Sequence, residues 1–154
     1  MPIAHATFTV ERTYPKSPEV VFRAFSDPAK KRLWFVEGEG FITDSYDLDF
    51  RVGGTETSRF RMGDNTPMPG TPVANDTVFM DIVPDTRIVT AYTMAVNGAR
   101  ISCSLSTFTF EAVATGTRFT MTEQACFFDN ADGVEMRKEG WAHLLDALAK
   151  EMAR

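Results

Sequence analysis

Cysteine and histidine are scarce in this chain, two of each among 154 residues: Cys103 and Cys126, His5 and His143. Neither cysteine has the CxxC or Cys/His spacing of a structural zinc set, so no metal site is expected. Two isolated thiols are no disulfide framework either, and in a cytoplasmic protein they should stay reduced. A sustained basic run is also missing. Sixteen Lys and Arg are scattered among 21 Asp and Glu, for a formal net charge of -5, which argues against nucleic acid as a partner. The densest basic cluster, Lys30, Lys31 and Arg32, reads as a solvated helix face. No apolar run reaches the roughly 18 residues needed to cross a bilayer, and the N-terminus lacks the charged-then-apolar build of a signal peptide. Membrane insertion is therefore not expected, and the expected location is cytoplasmic. With no Ser/His/Asp set and no phosphate-cradling glycine loop, hydrolysis by an activated nucleophile has no support and no cofactor is implied.

What the chain does have is flat, bulky apolar side chains: 13 phenylalanines in an otherwise ordinary composition. Its length suits one domain, taken as residues 1–154, that buries its own core. Residues 133–154 carry Val134, Trp141, Leu145, Leu148 and Met152 on one stripe, with Leu144 at its edge, the spacing of a long helix lying on a core. Gly140 in that helix is costly and is read as permitting close packing or a slight bend. Near the other end, Ser17-Pro18-Glu19 and Asp27-Pro28 each pair an N-cap side chain with proline at the first helical position, which predicts two short helices after a first strand at residues 7–14. From residue 41 the alternation is that of strands. Pro84-Asp85, Asn97-Gly98 and Thr115-Gly116 divide them, and Gly53-Gly54 turns the first pair. Residues 63–76, with three prolines and two glycines, read as the longest loop and a candidate lid. The fold class expected is α+β: a curved antiparallel sheet of about seven strands gripping a long C-terminal helix. Its exposed edges leave a homodimer open.

In residues 100–113 the set Ile101, Cys103 and Leu105 is out of phase with Phe108 and Phe110. A bulge near Ser106-Thr107 would put all five on one face and turn Cys103 inward, away from Cys126. Without the bulge both thiols share a face. The bulge is the favoured reading, because a sheet that curls around a helix needs such bends.

Several segments together resemble a known family. Arg12-Thr13-Tyr14-Pro15-Lys16-Ser17-Pro18-Glu19-Val20-Val21-Phe22-Arg23-Ala24-Phe25-Ser26-Asp27-Pro28, then Trp34, Asp49-Phe50-Arg51-Val52-Gly53-Gly54 and Ile82-Val83-Pro84-Asp85-Thr86-Arg87-Ile88 are similar to the SRPBCC superfamily, the START-like or birch-pollen-allergen-like helix-grip proteins. With Gly116-Thr117-Arg118-Phe119-Thr120-Met121-Thr122-Glu123 and Gly140-Trp141, the chain resembles the branch named after the activator of the heat-shock-protein ATPase. The resemblance spans nearly the whole chain and implies the helix-grip fold. For function it implies a range: lipid and hormone carriers, polyketide cyclases and aromatases, co-chaperone domains. A shared fold does not specify chemistry.

If the helix closes the curled sheet, alternation gives the wall facing it. From the strands it includes Phe60, Met80, Tyr92, Met94, Phe108, Phe110, Phe119 and Met121. Trp141, Leu144, Leu145 and Leu148 face them from the helix, and Trp34 either guards the cavity mouth or covers one end of the core. Each could be core packing or ligand lining. Met and Phe together suit flat or greasy ligands. Glu123 follows Phe119 and Met121 at the two-residue period and so points inward, as a functional carboxylate or as the partner of a structural arginine such as Arg137. Tyr92 could donate a hydrogen bond to a ligand or to its own surroundings. His143 lies on the outer side of the helix, wrong for a base. The leading reading is a binder of a hydrophobic or aromatic small molecule. The alternatives are cyclase, dehydratase or isomerase chemistry on Glu123 and Tyr92 and, ranked last, a module acting on a chaperone ATPase, since a lone domain lacks the further chaperone-binding module of the eukaryotic activators.

Overall fold

The computed structural model describes residues 2–37 and 40–154. Strand β1 (Ala4–Tyr14) leads into helices α1 (Pro18–Ser26) and α2 (Pro28–Phe35). Strands β2 (Phe41–Leu48), β3 (Thr55–Met62), β4 (Pro72–Val83), β5 (Arg87–Val96), β6 (Ala99–Val113) and β7 (Gly116–Phe127) follow, and helix α3 (Val134–Met152) ends the chain. The seven strands form one antiparallel sheet in the order β1-β7-β6-β5-β4-β3-β2. This is the α+β helix-grip architecture expected from the sequence.

Local chemistry sets the element ends. Ser17 accepts a hydrogen bond from the Val20 amide, and Asp27 accepts from the amides of Ala29 and Lys30, so each short helix starts on a capping side chain followed by proline. Asn97 and Gly98 both take positive φ, the requirement of a tight two-residue hairpin between β5 and β6. The proline-rich segment is shorter than expected. Strand β4 begins at Pro72, because proline is tolerated as the first residue of a strand, where its missing N–H is not needed.

Two expectations are corrected. Met80 does not face the helix: it is 54% exposed, and Phe79 is buried in its place. The Gly53 amide donates to the Phe79 carbonyl and the Phe79 amide donates to Gly54, which fixes Phe79 inward. The β4–β5 register then shifts between Phe79 and Asp81, leaving Met80 as the bulged, outward residue. Strand β6 has no bulge at Ser106-Thr107. It pairs with β7 in unbroken register from Ser102 to Val113, and the irregularity lies at its start, opposite Met94 and Ala95. Ser102, Ser104 and Ser106 therefore share the inner face with Phe108 and Phe110. Cys103 is exposed and pairs across the outer face with Cys126, whose thiol donates to the Cys103 carbonyl at 3.4 Å.

The core fills one half of the curved face. Helix α1 presses Phe22 and Phe25 onto β6 and β7, where Phe25 stacks on Phe119 at 5.3 Å and meets Phe110 edge-on at 5.5 Å, and Trp34 of α2 packs edge-on against Phe25 at 4.9 Å. Leu145 and Leu148 of α3 close over the same cluster. The phenolic O–H of Tyr14, buried on β1, donates to the Leu145 carbonyl at 2.9 Å and ties the helix to the sheet edge. Tyr14→Phe should lower the unfolding free energy by about 1 kcal/mol, a typical net value for one buried hydrogen bond. Urea denaturation followed by circular dichroism measures it, with an unchanged native spectrum expected.

Candidate functional site

The other half of the curved face, over β3 to β5, is not packed. Between it, the end of α2 and the first turns of α3 lies a cavity of about 370 Å3, partly open to solvent. Phe35, Phe41, Phe60, Met94, Trp141 and Leu144 are among its apolar lining residues. Thr66, in the proline-rich segment, lies at its wall, as does exposed His143 of α3. Gly140 also borders it, and a Cβ there would meet nothing within 4 Å, so this glycine opens space rather than permitting close packing.

Two buried ionic clusters flank the cavity. At one, Arg137 of α3 reaches down to the sheet. Its guanidinium donates to Asp132 at 2.8 Å, Glu123 at 3.1 Å, the Tyr92 oxygen at 2.9 Å and Ser102 at 2.8 Å. Glu123, 0% exposed, also accepts from Tyr92 and Ser104, all on the same oxygen. Burial would lower the Arg137 pKa, but the hydrogen bonds it donates to Asp132 and its electrostatic interactions with Tyr92, Asp132 and Glu123 outweigh it, and the guanidinium is held charged. Burial pushes the Tyr92 phenol well above its ordinary value, the Glu123 charge adds to this, and Arg137 partly opposes it.

At the second cluster, Lys31 of α2 places its Nζ 2.7 Å from Glu56 of β3, with both side chains almost wholly buried. The ammonium also sits 4.5 Å from the centre of the Phe35 ring. Tyr46 donates to the same Glu56 oxygen, and burial first, then the Glu56 charge, raises the phenol's pKa strongly. The basic triplet is thus not a solvated face throughout: Lys31 is 7% exposed and belongs to the cavity wall.

The family profile described as "Activator of Hsp90 ATPase homolog 1-like protein" matches residues 15–153. The chain belongs to that family. Among solved structures, the Mll3558 protein from Rhizobium loti is 47% identical, with TM-score 0.86 over 98% of this chain and 99% of that one. An uncharacterized protein from Rhizobium leguminosarum is 38% identical, with TM-score 0.92 over 99% and 97% of the two chains. A family-like protein from Aeromonas hydrophila, at 18% identity, shares the fold with TM-score 0.70 over 96% of this chain and 92% of that one. No curated protein matches this chain.

Within this family member, the residues expected from alternation divide in two. Phe60, Tyr92, Met94, Phe108, Trp141 and Leu144 line the cavity. Phe110, Phe119, Met121, Leu145 and Leu148 lie in the packed half. Trp34 is buried there too and donates from its indole N–H to the Ala24 carbonyl at 2.9 Å, so it closes the corner between α1 and α2. Glu123 is paired with Arg137 at 3.1 Å and is not part of the cavity wall. Lys31 and Glu56 were missed, although both left a signal. Glu56 and Ser58 precede Phe60 at the two-residue period, and Lys31 lies three residues before Trp34 on the same helical face.

Removing one partner of the Lys31–Glu56 pair leaves a buried unpaired charge. Glu56→Leu alone should destabilise by about 3–5 kcal/mol, while Lys31→Met with Glu56→Leu should recover most of the loss. A double-mutant cycle in urea measures both. The three tyrosines of the chain, Tyr14, Tyr46 and Tyr92, all have pKa values raised mainly by burial. Their neutral forms stabilise the fold fully below the unfolded value of about 10, and this stability is lost as pH rises beyond it. Spectrophotometric titration should therefore show all three ionising in one step that coincides with alkaline unfolding.

Proposed function

We propose that the protein binds an apolar, compact small molecule in the cavity between α3 and strands β3 to β5, without chemical turnover. The observation that carries this reading is the unfilled volume beside Trp141, in a face whose other half is densely packed. A volume near the low end of the usual 300–1,000 Å3 for small-molecule sites favours a ligand of a few rings over a long acyl chain. The mainly apolar lining supplies the driving force, and the paired ionic clusters at its ends supply rigidity.

Acid–base chemistry on Glu123 and Tyr92 is the weaker reading. One Glu123 oxygen is taken by three donors, and Tyr92 is held between Glu123 and Arg137. The other Glu123 oxygen has no partner but is buried outside the cavity wall, and Tyr92 donates its proton to Glu123, so neither group is placed to exchange a proton with a ligand in the cavity. Action on a chaperone ATPase rests on the family description alone, and nothing in the cavity bears on it.

The test is titration with Nile red, an uncharged solvent-sensitive dye. Binding with a blue shift is expected for the wild-type protein. Thr90→Phe, which fills the cavity from its floor, should abolish the shift while leaving the melting temperature within a few degrees. A wild-type protein that leaves the dye spectrum unchanged would remove the proposal.

A further inference from the structure

The cavity walls differ in chemistry. Phe35, Trp141 and Leu144 present apolar surface from the helices. The opposite wall, on the sheet, carries Ser58, Asn75, Thr77 and Thr90, four small uncharged polar residues on three adjacent strands. Ser58 and Asn75 are direct cross-strand partners, and Thr77 lies two residues along β4 on the same face, so the groups form one strip. Arg59 donates to the backbone carbonyls of Ser58 and Asn75 and to the Asp76 carboxylate, not to the side chains of the strip, and the Asn75 Oδ1 is buried with no partner. A polar strip in an otherwise greasy wall loses hydrogen bonds to water on folding unless something in the cavity replaces them.

The charges point the same way. Both cations at the cavity are already matched, Lys31 by Glu56 and Arg137 by Asp132 and Glu123. Among the described residues, no lysine or arginine at the wall is left without a carboxylate, and the one other basic side chain there, His143, is exposed. An anionic ligand would shed its water and find itself beside Glu56 and Asp132, with no free lysine or arginine among the described wall residues to offset either cost.

Resting on the ligand-binding reading above, we infer that the cavity selects uncharged ring compounds with hydroxyl, carbonyl or amide groups confined to one side, and rejects carboxylates of the same size. The apolar side of such a molecule lies against Trp141 and Leu144, and its polar side meets the strip from Ser58 to Thr90. Fatty-acid anions and phosphorylated metabolites are excluded by charge, and plain hydrocarbons are held less tightly because they leave the strip without partners.

Three probes of one skeleton test this by displacement of Nile red at pH 7: 2-naphthol, 2-methylnaphthalene and 2-naphthoate. 2-Naphthol should bind about tenfold more tightly than 2-methylnaphthalene, the size of effect that one or two net hydrogen bonds give, and 2-naphthoate should be the weakest. The double variant Asn75→Leu with Thr77→Val should erase the preference for 2-naphthol and leave 2-methylnaphthalene unchanged. If 2-naphthoate displaces the dye as well as 2-naphthol, or if the variant keeps the preference, the inference is overturned while the cavity reading stands. If Nile red itself does not bind, the cavity reading fails and this inference fails with it.

Discussion

Arg137 is the residue on which the rest of the site depends. Glu123 projects from β7 into the buried interior, and a carboxylate there is tolerable only with a matched cation and several donors. Arg137 supplies the cation from α3 and, through the same guanidinium, holds Tyr92, Ser102 and Asp132. One side chain thereby sets how far the first turns of α3 stand from the sheet. The space beneath Trp141 opens one turn later on the same face.

The same principle recurs on the far side of the cavity with different parts. Lys31 and Glu56 bridge α2 and β3, as Arg137 and Glu123 bridge α3 and β7. Between the two bridges the walls are kept apart by paired charge, whereas beyond them α1 brings Phe22 and Phe25 into direct contact with the sheet and Trp34 of α2 packs behind Phe25. One curved face is therefore both a dense aromatic core and an open chamber. The change from one to the other follows where the two short helices lie.

Most of the architecture was legible in the sequence because it is written in local chemistry: caps at Ser17 and Asp27, proline at Pro18 and Pro28, turn residues at Asn97-Gly98, and the stripe on α3. The site was only half legible. Alternation tells which side of a strand faces inward, but it does not tell which inward residues a neighbouring helix covers. Phe119 and Phe60 have the same pattern, one in the core and the other in the cavity. Met80 failed for a different reason, since a non-local contact from Gly53-Gly54 sets the phase of β4 there. The inferred bulge in β6 failed because the serines, not Cys103 and Leu105, continue the inner face toward the polar cluster around Arg137. Polarity that serves a buried network does not resemble an interior pattern in the sequence.

The place of β1 has a consequence for how the chain assembles. Every other neighbouring pair in the sheet joins consecutive strands, but β1 pairs only with β7, more than a hundred residues later. During synthesis the first strand has no partner in the sheet until β7 has emerged, and its apolar Phe8 and Val10 stay uncovered meanwhile. Sheet closure and docking of the last helix onto Tyr14 are thus joined as late, long-range steps, and the cavity exists only once both are complete.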